Sequence, residues 1–168
     1  MAHPSGPHEP DPTNGGVVRE FADVQEVARA KGAHLGPTDW LTIDQSRIDL
    51  FAEATSDHQW IHVDHEKAAA GPFGTTIAHG YLSLSLLAHF SPQLIKVTRP
   101  PKMAINYGLN KVRFLQPVTS GSRVRDVAEL SDVTENEKGL LLTVSHTVEI
   151  EGQERPALVA DSLGLWVP

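Results

Sequence analysis

Between Phe51 and Leu87 the sequence reads FAEATSDHQWIHVDHEKAAAGPFGTTIAHGYLSLSLL. A carboxylate, Asp57, stands five residues before an imidazole, His62. Both fall in a short polar and aromatic break between two apolar helical patterns. Ala78-His79-Gly80 then opens the most apolar helical pattern of the chain. An acid/base pair and the exposed N-terminus of a helix are the minimum parts for protonation chemistry beside a carbonyl.

The elements that must position these groups come from a chain of 168 residues, enough for one domain with its own core. There is no cysteine, which excludes disulfides, thiolate nucleophiles and cysteine-ligated zinc. No apolar run approaches the length of a membrane span. Residues 1–16, MAHPSGPHEPDPTNGG, lack the apolar middle of a signal peptide and read as a flexible extension, with the folded domain over 17–168. A cytoplasmic protein is the expectation. The net charge of −7 argues against nucleic acid as a partner. From Lys67 to Arg125 there is no Asp or Glu, whereas Lys96, Arg99, Lys102, Lys111, Arg113 and Arg123 all lie within it. That segment is either a buried core poor in acids or a local positive field for an anionic ligand.

Phe21 to Lys31 carries a weak helical period, broken by Leu35-Gly36-Pro37. Trp40, Leu41 and Ile43 read as a short strand. Asp44 is placed to cap a helix that stops near Thr55-Ser56. Asp57 to Ile61 reads as a loop, and Asp64 can cap a short helix through Ala70. The stretch from Gly80 to Lys96 is apolar nearly all round, as a buried helix is. After Pro100-Pro101 the period becomes that of strands: Met103–Tyr107, Asn110–Phe114, Arg123–Val133, Leu140–Ile150 and Pro156–Val167. Turns are expected at 135–139 and 151–154. Helices come first and an antiparallel meander follows, which predicts an α+β fold with a curved antiparallel sheet wrapped around one long apolar helix.

This order resembles the hotdog fold, and the residues resemble the MaoC-like dehydratase or (R)-specific enoyl-CoA hydratase family. The family's pattern runs from an aromatic residue through Gly-Asp-x-Asn-Pro-aliphatic-His to a small residue. Here Phe51 leads into Ser56-Asp57-His58-Gln59-Trp60-Ile61-His62, with Ala68 at the final position. Pro72-Phe73-Gly74 and Ile77-Ala78-His79-Gly80 fit the downstream pattern. The wording Asp-His-Gln-Trp-Ile-His-Val-Asp is similar to the nodulation protein N-like branch. Two departures stand out: Ser56 replaces Gly, and Gln59-Trp60 replaces Asn-Pro. The family also has a serine farther along its helix, where this chain aligns Ala88, with Ser83 and Ser85 nearby.

The resemblance implies addition of water to a trans-2-enoyl-CoA, giving the (R)-3-hydroxyacyl-CoA. Asp57 is the implied base, His62 orients the water and helps deliver a proton to C2, and the Gly80 N–H is the implied oxyanion donor. No metal and no cofactor is required. A dehydratase acting on a carrier-protein or modified acyl thioester is the first rival reading. A non-catalytic acyl-thioester binding protein is the second.

Plainer readings stand beside these. Asp after a helix is most often a turn residue, and a lone histidine is most often structural. His79 shapes the start of the helix or contacts substrate. Trp60 and Phe73 either line an acyl pocket or fill the core. Asn106, Tyr107 and Asn110 either line a pocket or serve strand-edge hydrogen bonds, and Lys111 is a candidate contact for CoA. His58 and His65 are expected to face solvent, and the spacing of His58, His62 and His65 lacks the geometry of a zinc motif. A single hotdog leaves an exposed sheet edge, so a homodimer is expected.

Overall fold

The computed structural model describes residues 17–167, so the expected extension over 1–16 lies outside the described residues. Two aspartates set the helices ahead of the site. The Asp44 side chain accepts from the Arg47 N–H and starts α2, Gln45–Thr55. Asp64 accepts from the Lys67 N–H and starts α4, His65–Ala69. Each supplies an acceptor to a first-turn N–H that has none within its helix. Between them Trp60–Val63 forms α3, so His62 sits on a helical turn rather than in a loop.

The expected helix over Phe21–Lys31 is replaced by a strand, β1 (Arg19–Asp23), and a short helix, α1 (Val24–Ala28). β2 (His34–Leu35) and β3 (Leu41–Thr42) follow. The central helix is α5 (Gly80–Ser85) followed by α6 (Leu87–Leu94). Leu86, which joins them, keeps right-handed helical angles, so the two run on as one rod with a tightened turn. Pro92 lies within α6 and the interruption is elsewhere. The rod stops earlier than expected. Ile95–Arg99 forms β4 and pairs in parallel with β1, because Ile95, Val97 and Thr98 favour strand.

The remaining strands are β5 (Met103–Phe114), β6 (Arg123–Asn136), β7 (Gly139–Ile150) and β8 (Leu158–Val167). The sheet order is β2-β6-β7-β8-β5, with β3 also on β6. The two strands expected over 103–114 are one, with register shifts between Asn106 and Gly108 and between Leu109 and Val112. Such bulges admit an extra residue and bend the strand.

Every second residue of β6 from Val124 to Leu130 is buried, and Phe90 of the rod is fully buried against this face. Ile48, Leu82, Leu86, Phe90, Val124, Val148 and Leu158 make the main core beside the site. The expectation of a helix buried nearly all round is corrected on one face. Tyr81 is 71% exposed, and Ser85, Ala88 and His89 are exposed too. The sheet curves around the other sides and leaves this line of side chains uncovered. Among the described residues, no helix is long and apolar enough to cross a membrane.

Candidate active site

α2 ends on Ser56, whose φ of 60° is left-handed. That conformation turns the chain so that Asp57 follows at once on the surface beside α3. It also explains why glycine is the residue the family pattern has here: a Cβ is disfavoured in this region. The Asp57 carboxylate accepts from the Gln59 N–H at 3.3 Å.

His62 is 6% exposed and its ring is fixed. Nδ1 lies 2.7 Å from the Ile77 carbonyl oxygen, which can only accept, so the proton is on Nδ1. Nε2 is then the atom with a free lone pair. Around this ring, Ile77 N–H donates to Ile61 O, and Gln45 Nε2 donates to His62 O while receiving the Thr76 hydroxyl at Oε1. α2, α3 and the strand-like segment at Ile77 are thereby tied around one imidazole. Burial pushes the His62 pKa below the ordinary value, with a smaller lowering from His79 beside it.

His79 is 3% exposed and stacks on His62, with ring centroids 3.7 Å apart and planes 24° from parallel. Its Nε2–H donates to the Asp57 carbonyl oxygen at 2.9 Å, and its Nδ1 has no partner. His79 therefore ties the Asp57 backbone to the His62 ring. Ligand atoms of Asp57, His62 and His79 lie within 4.8 Å of one another. Stacked imidazoles, however, point their in-plane lone pairs side by side rather than toward one point, so the trio fits a metal ion poorly.

Gly80 is the first residue of α5. With His62, Ile77, Ser83, Phe114 and Val118 it lines a cavity of about 380 Å³. A Cβ on Gly80 would stand 3.2 Å from the Phe114 ring. The glycine thus admits Phe114 against the helix start. Ser83, buried, and Phe114 are cavity residues that the sequence reading did not select as site residues. Phe114 comes from β5, far along the chain, and only tertiary contact reveals it.

Asp57, His62, His79 and Gly80 are brought together, and four other selected residues are not. Trp60 packs over Gly71, whose Cβ would meet the ring at 3.0 Å, with Lys67 Nζ 5.1 Å from the ring. It fills structure rather than lining this cavity. Phe73 is exposed and outside it. Asn106 lines other cavities, farther along the rod. Lys111 lies exposed on β5 three residues from Phe114. His58 and His65 face solvent as expected, and the hydrogen bond that His58 donates to the Glu53 carboxylate raises the His58 pKa.

Four of the eight basic residues of the acid-free segment are neutralised from outside it. Lys96 pairs with Glu20, Arg99 with Asp23, Arg123 with Glu151 and Arg125 with Glu149. Lys67, Lys102, Lys111 and Arg113 are in no ion pair among the described residues.

A family model described as MaoC like domain matches residues 26–151. The 3-hydroxyacyl-thioester dehydratase Z of Mycobacterium tuberculosis (strain CDC 1551 / Oshkosh) is 53% identical over 151 residues, 89% of this chain and 99% of that protein. Nodulation protein N of Rhizobium leguminosarum bv. viciae is 50% identical over 140 residues, 82% of this chain and 87% of its own. Among solved structures, the (R)-hydratase from A. caviae involved in PHA biosynthesis superposes with a TM-score of 0.67 at 22% identity. That match covers 82% of this chain and 96% of the other, and it bears on the fold alone.

Proposed function

The chain belongs to the MaoC-like dehydratase family and is a lyase of the hydratase/dehydratase type, and from that premise we propose that it interconverts trans-2-enoyl-CoA and (R)-3-hydroxyacyl-CoA by syn addition or removal of water. The carrying observation is twofold: ligand atoms of Asp57 and His62 lie within 4.8 Å of each other, and His62, with its free Nε2, lines one cavity with Gly80.

In this reading, water is held by two acceptors, Asp57 and His62 Nε2. The bond to Ile77 leaves His62 no proton to offer at Nε2 until it has taken one. The proton that reaches C2 therefore starts on the water and returns by way of this pair, while the water oxygen bonds to C3. Both groups come from one short stretch of chain, with ligand atoms within 4.8 Å of each other, which favours addition to one face. The Gly80 N–H meets the thioester oxygen as negative charge develops on it. His79 acts through the other two, by holding the Asp57 carbonyl and the face of the His62 ring. Lys111 and Arg113, exposed on the same strand as Phe114, are assigned in this reading to the phosphates of CoA. The exposed edge strand β5, bearing Met103, Ile105 and Tyr107, is the surface through which two copies pair.

Crotonyl-CoA in deuterated water, after exhaustive chelation, tests the chemistry. An (R)-3-hydroxybutyryl-CoA product with syn deuterium is expected. An (S) product, or activity lost on chelation and restored by zinc, sinks it. The dehydratase named among the relatives favours a second reading, with a carrier-protein thioester as substrate. Comparing crotonyl-CoA with the same acyl group on a carrier protein separates the two.

A further inference from the structure

We propose that the open groove along the central helix receives a long acyl chain bearing a hydroxyl far from the thioester, and that Ser162 reads that hydroxyl. The proposal rests on the thioester chemistry assigned above to Asp57 and His62.

The groove begins at Tyr81, which follows Gly80 in the chain and packs edge-on against Phe114 of the site cavity, with ring centroids 6.0 Å apart. Tyr81, Leu84, Ser85, Ala88 and Ser91 recur at helical spacing on the uncovered face of the rod, and with β5 and β8 they line a cavity of about 280 Å³. A second cavity of about 250 Å³ continues toward Leu94, Leu142 and Trp166. The two share Ser91, Asn106, Ser162 and Leu163. Ser91 is eleven residues beyond Gly80, roughly 16 Å along the rod at 1.5 Å per residue. A short acyl group cannot reach it, and a long one can.

At this junction the inner face of the sheet carries a polar relay that the hydration chemistry does not use. Ser162 Oγ lies 2.8 Å from His146 Nε2, and His146 Nδ1 lies 2.6 Å from Asp126 Oδ2. The three residues run diagonally across β8, β7 and β6. Asp126 and His146 are 0% and 4% exposed, and Asp126 Oδ1 has no partner. Burying such groups in an apolar face costs stability, so a role at the cavity that His146 and Ser162 line is the economical account of them.

The relay also dictates the ligand's chemistry. With the proton on His146 Nδ1, Nε2 accepts the Ser162 hydrogen, and Ser162 presents lone pairs to the cavity. With the proton on Asp126, both bonds reverse and Ser162 presents its hydrogen. Burial pushes the Asp126 pKa up, against the opposing pull of His146, which brings the second arrangement closer. A ligand hydroxyl pairs with Ser162 in either arrangement, because it can donate or accept. A carboxylate can only accept and pairs in the second arrangement alone. A methylene pairs with neither.

The test compares kcat/KM for trans-2-enoyl-CoA substrates with and without a terminal hydroxyl, in octenoyl and dodecenoyl pairs. Wild type is expected to prefer the hydroxylated dodecenoyl substrate by roughly three- to tenfold, the scale of one neutral hydrogen bond. The octenoyl pair, whose chain stops short, shows no preference. Ser162→Ala brings the dodecenoyl ratio to about one, and Ser162→Thr, which keeps the hydroxyl, retains it. Ala88→Trp, which fills the groove, penalises both dodecenoyl substrates relative to crotonyl-CoA. A wild-type dodecenoyl ratio of one or less overturns the proposal, as does an undiminished ratio in Ser162→Ala. If crotonyl-CoA itself is not turned over, the hydratase reading fails instead. Calorimetric titration with dodecanoyl-CoA and 12-hydroxydodecanoyl-CoA then tests the groove alone, and equal affinities overturn it.

Discussion

At the scale of single residues, the proposed site is a pair of proton acceptors, Asp57 and His62, held by their neighbours. Asp57→Asn keeps the shape and removes the base. His62→Gln keeps a hydrogen-bonding group and removes the ring lone pair. Each is expected to lower kcat by about 100-fold or more without unfolding the protein, as steady-state kinetics with crotonyl-CoA and circular dichroism would show. Because both act on one water, the double variant should be little slower than the slower single. The His62 environment adds a pH signature. Burial lowers its pKa, so the ring stays neutral to a more acid pH than a free imidazole does. Protonation on going acid removes the Nε2 lone pair. The acid limb of kcat/KM that belongs to His62 should therefore have its midpoint below about 6.5, the ordinary histidine value. A limb centred above that value would contradict the assignment.

At the scale of elements, the site depends on how helices end and begin. α2 ends in the left-handed conformation of Ser56, the one non-glycine residue with positive φ among the described residues. Ser56→Gly should relieve the clash of its Cβ with the backbone. The expected gain is about 0.5–1 kcal/mol in urea-unfolding free energy at unchanged kcat. Part of the relief is offset by the greater freedom glycine gives the unfolded chain. A loss of stability would mean that the Ser56 hydroxyl contributes more than its backbone geometry costs. The central rod has the complementary role. Its buried side, anchored by Phe90 and Leu82, fixes the position of Gly80, and its open side lines the groove proposed above for the acyl chain.

At the scale of the molecule, β5 is a long edge strand with exposed apolar side chains along it. Such an edge invites pairing with another chain. Light scattering at micromolar concentration is expected to give twice the 18.3 kDa chain mass. Tyr107→Glu, at the uncovered edge, should shift the species toward monomer. A monodisperse wild-type monomer would refute pairing through β5. Electrostatics belongs at this scale too. If Lys111 and Arg113 meet CoA phosphates, KM should rise with added salt, because exposed charge contacts are screened. It should also rise when both residues are neutralised. A KM indifferent to both changes would remove them from the binding surface.

Much of this protein was legible in its sequence because the signals concerned are local. The Asp57–His62 spacing, the caps at Asp44 and Asp64, the Ser56 turn, the glycine at the helix start and the strand alternation each depend on a few neighbouring residues. So does the order of helices followed by a meander, from which the α+β hotdog arrangement follows. What the tertiary structure decided is contact between distant residues. Sequence order cannot say that His79 stacks on His62, that Phe114 lies against Gly80, or that Trp60 covers Gly71 instead of lining the cavity. It could not assign Ile95–Arg99 to a strand, since that choice depends on a partner at Arg19–Asp23. Nor could it assemble Asp126, His146 and Ser162. Each occupies an ordinary inward position on its own strand, and they form one relay only because sheet pairing sets the three strands in register.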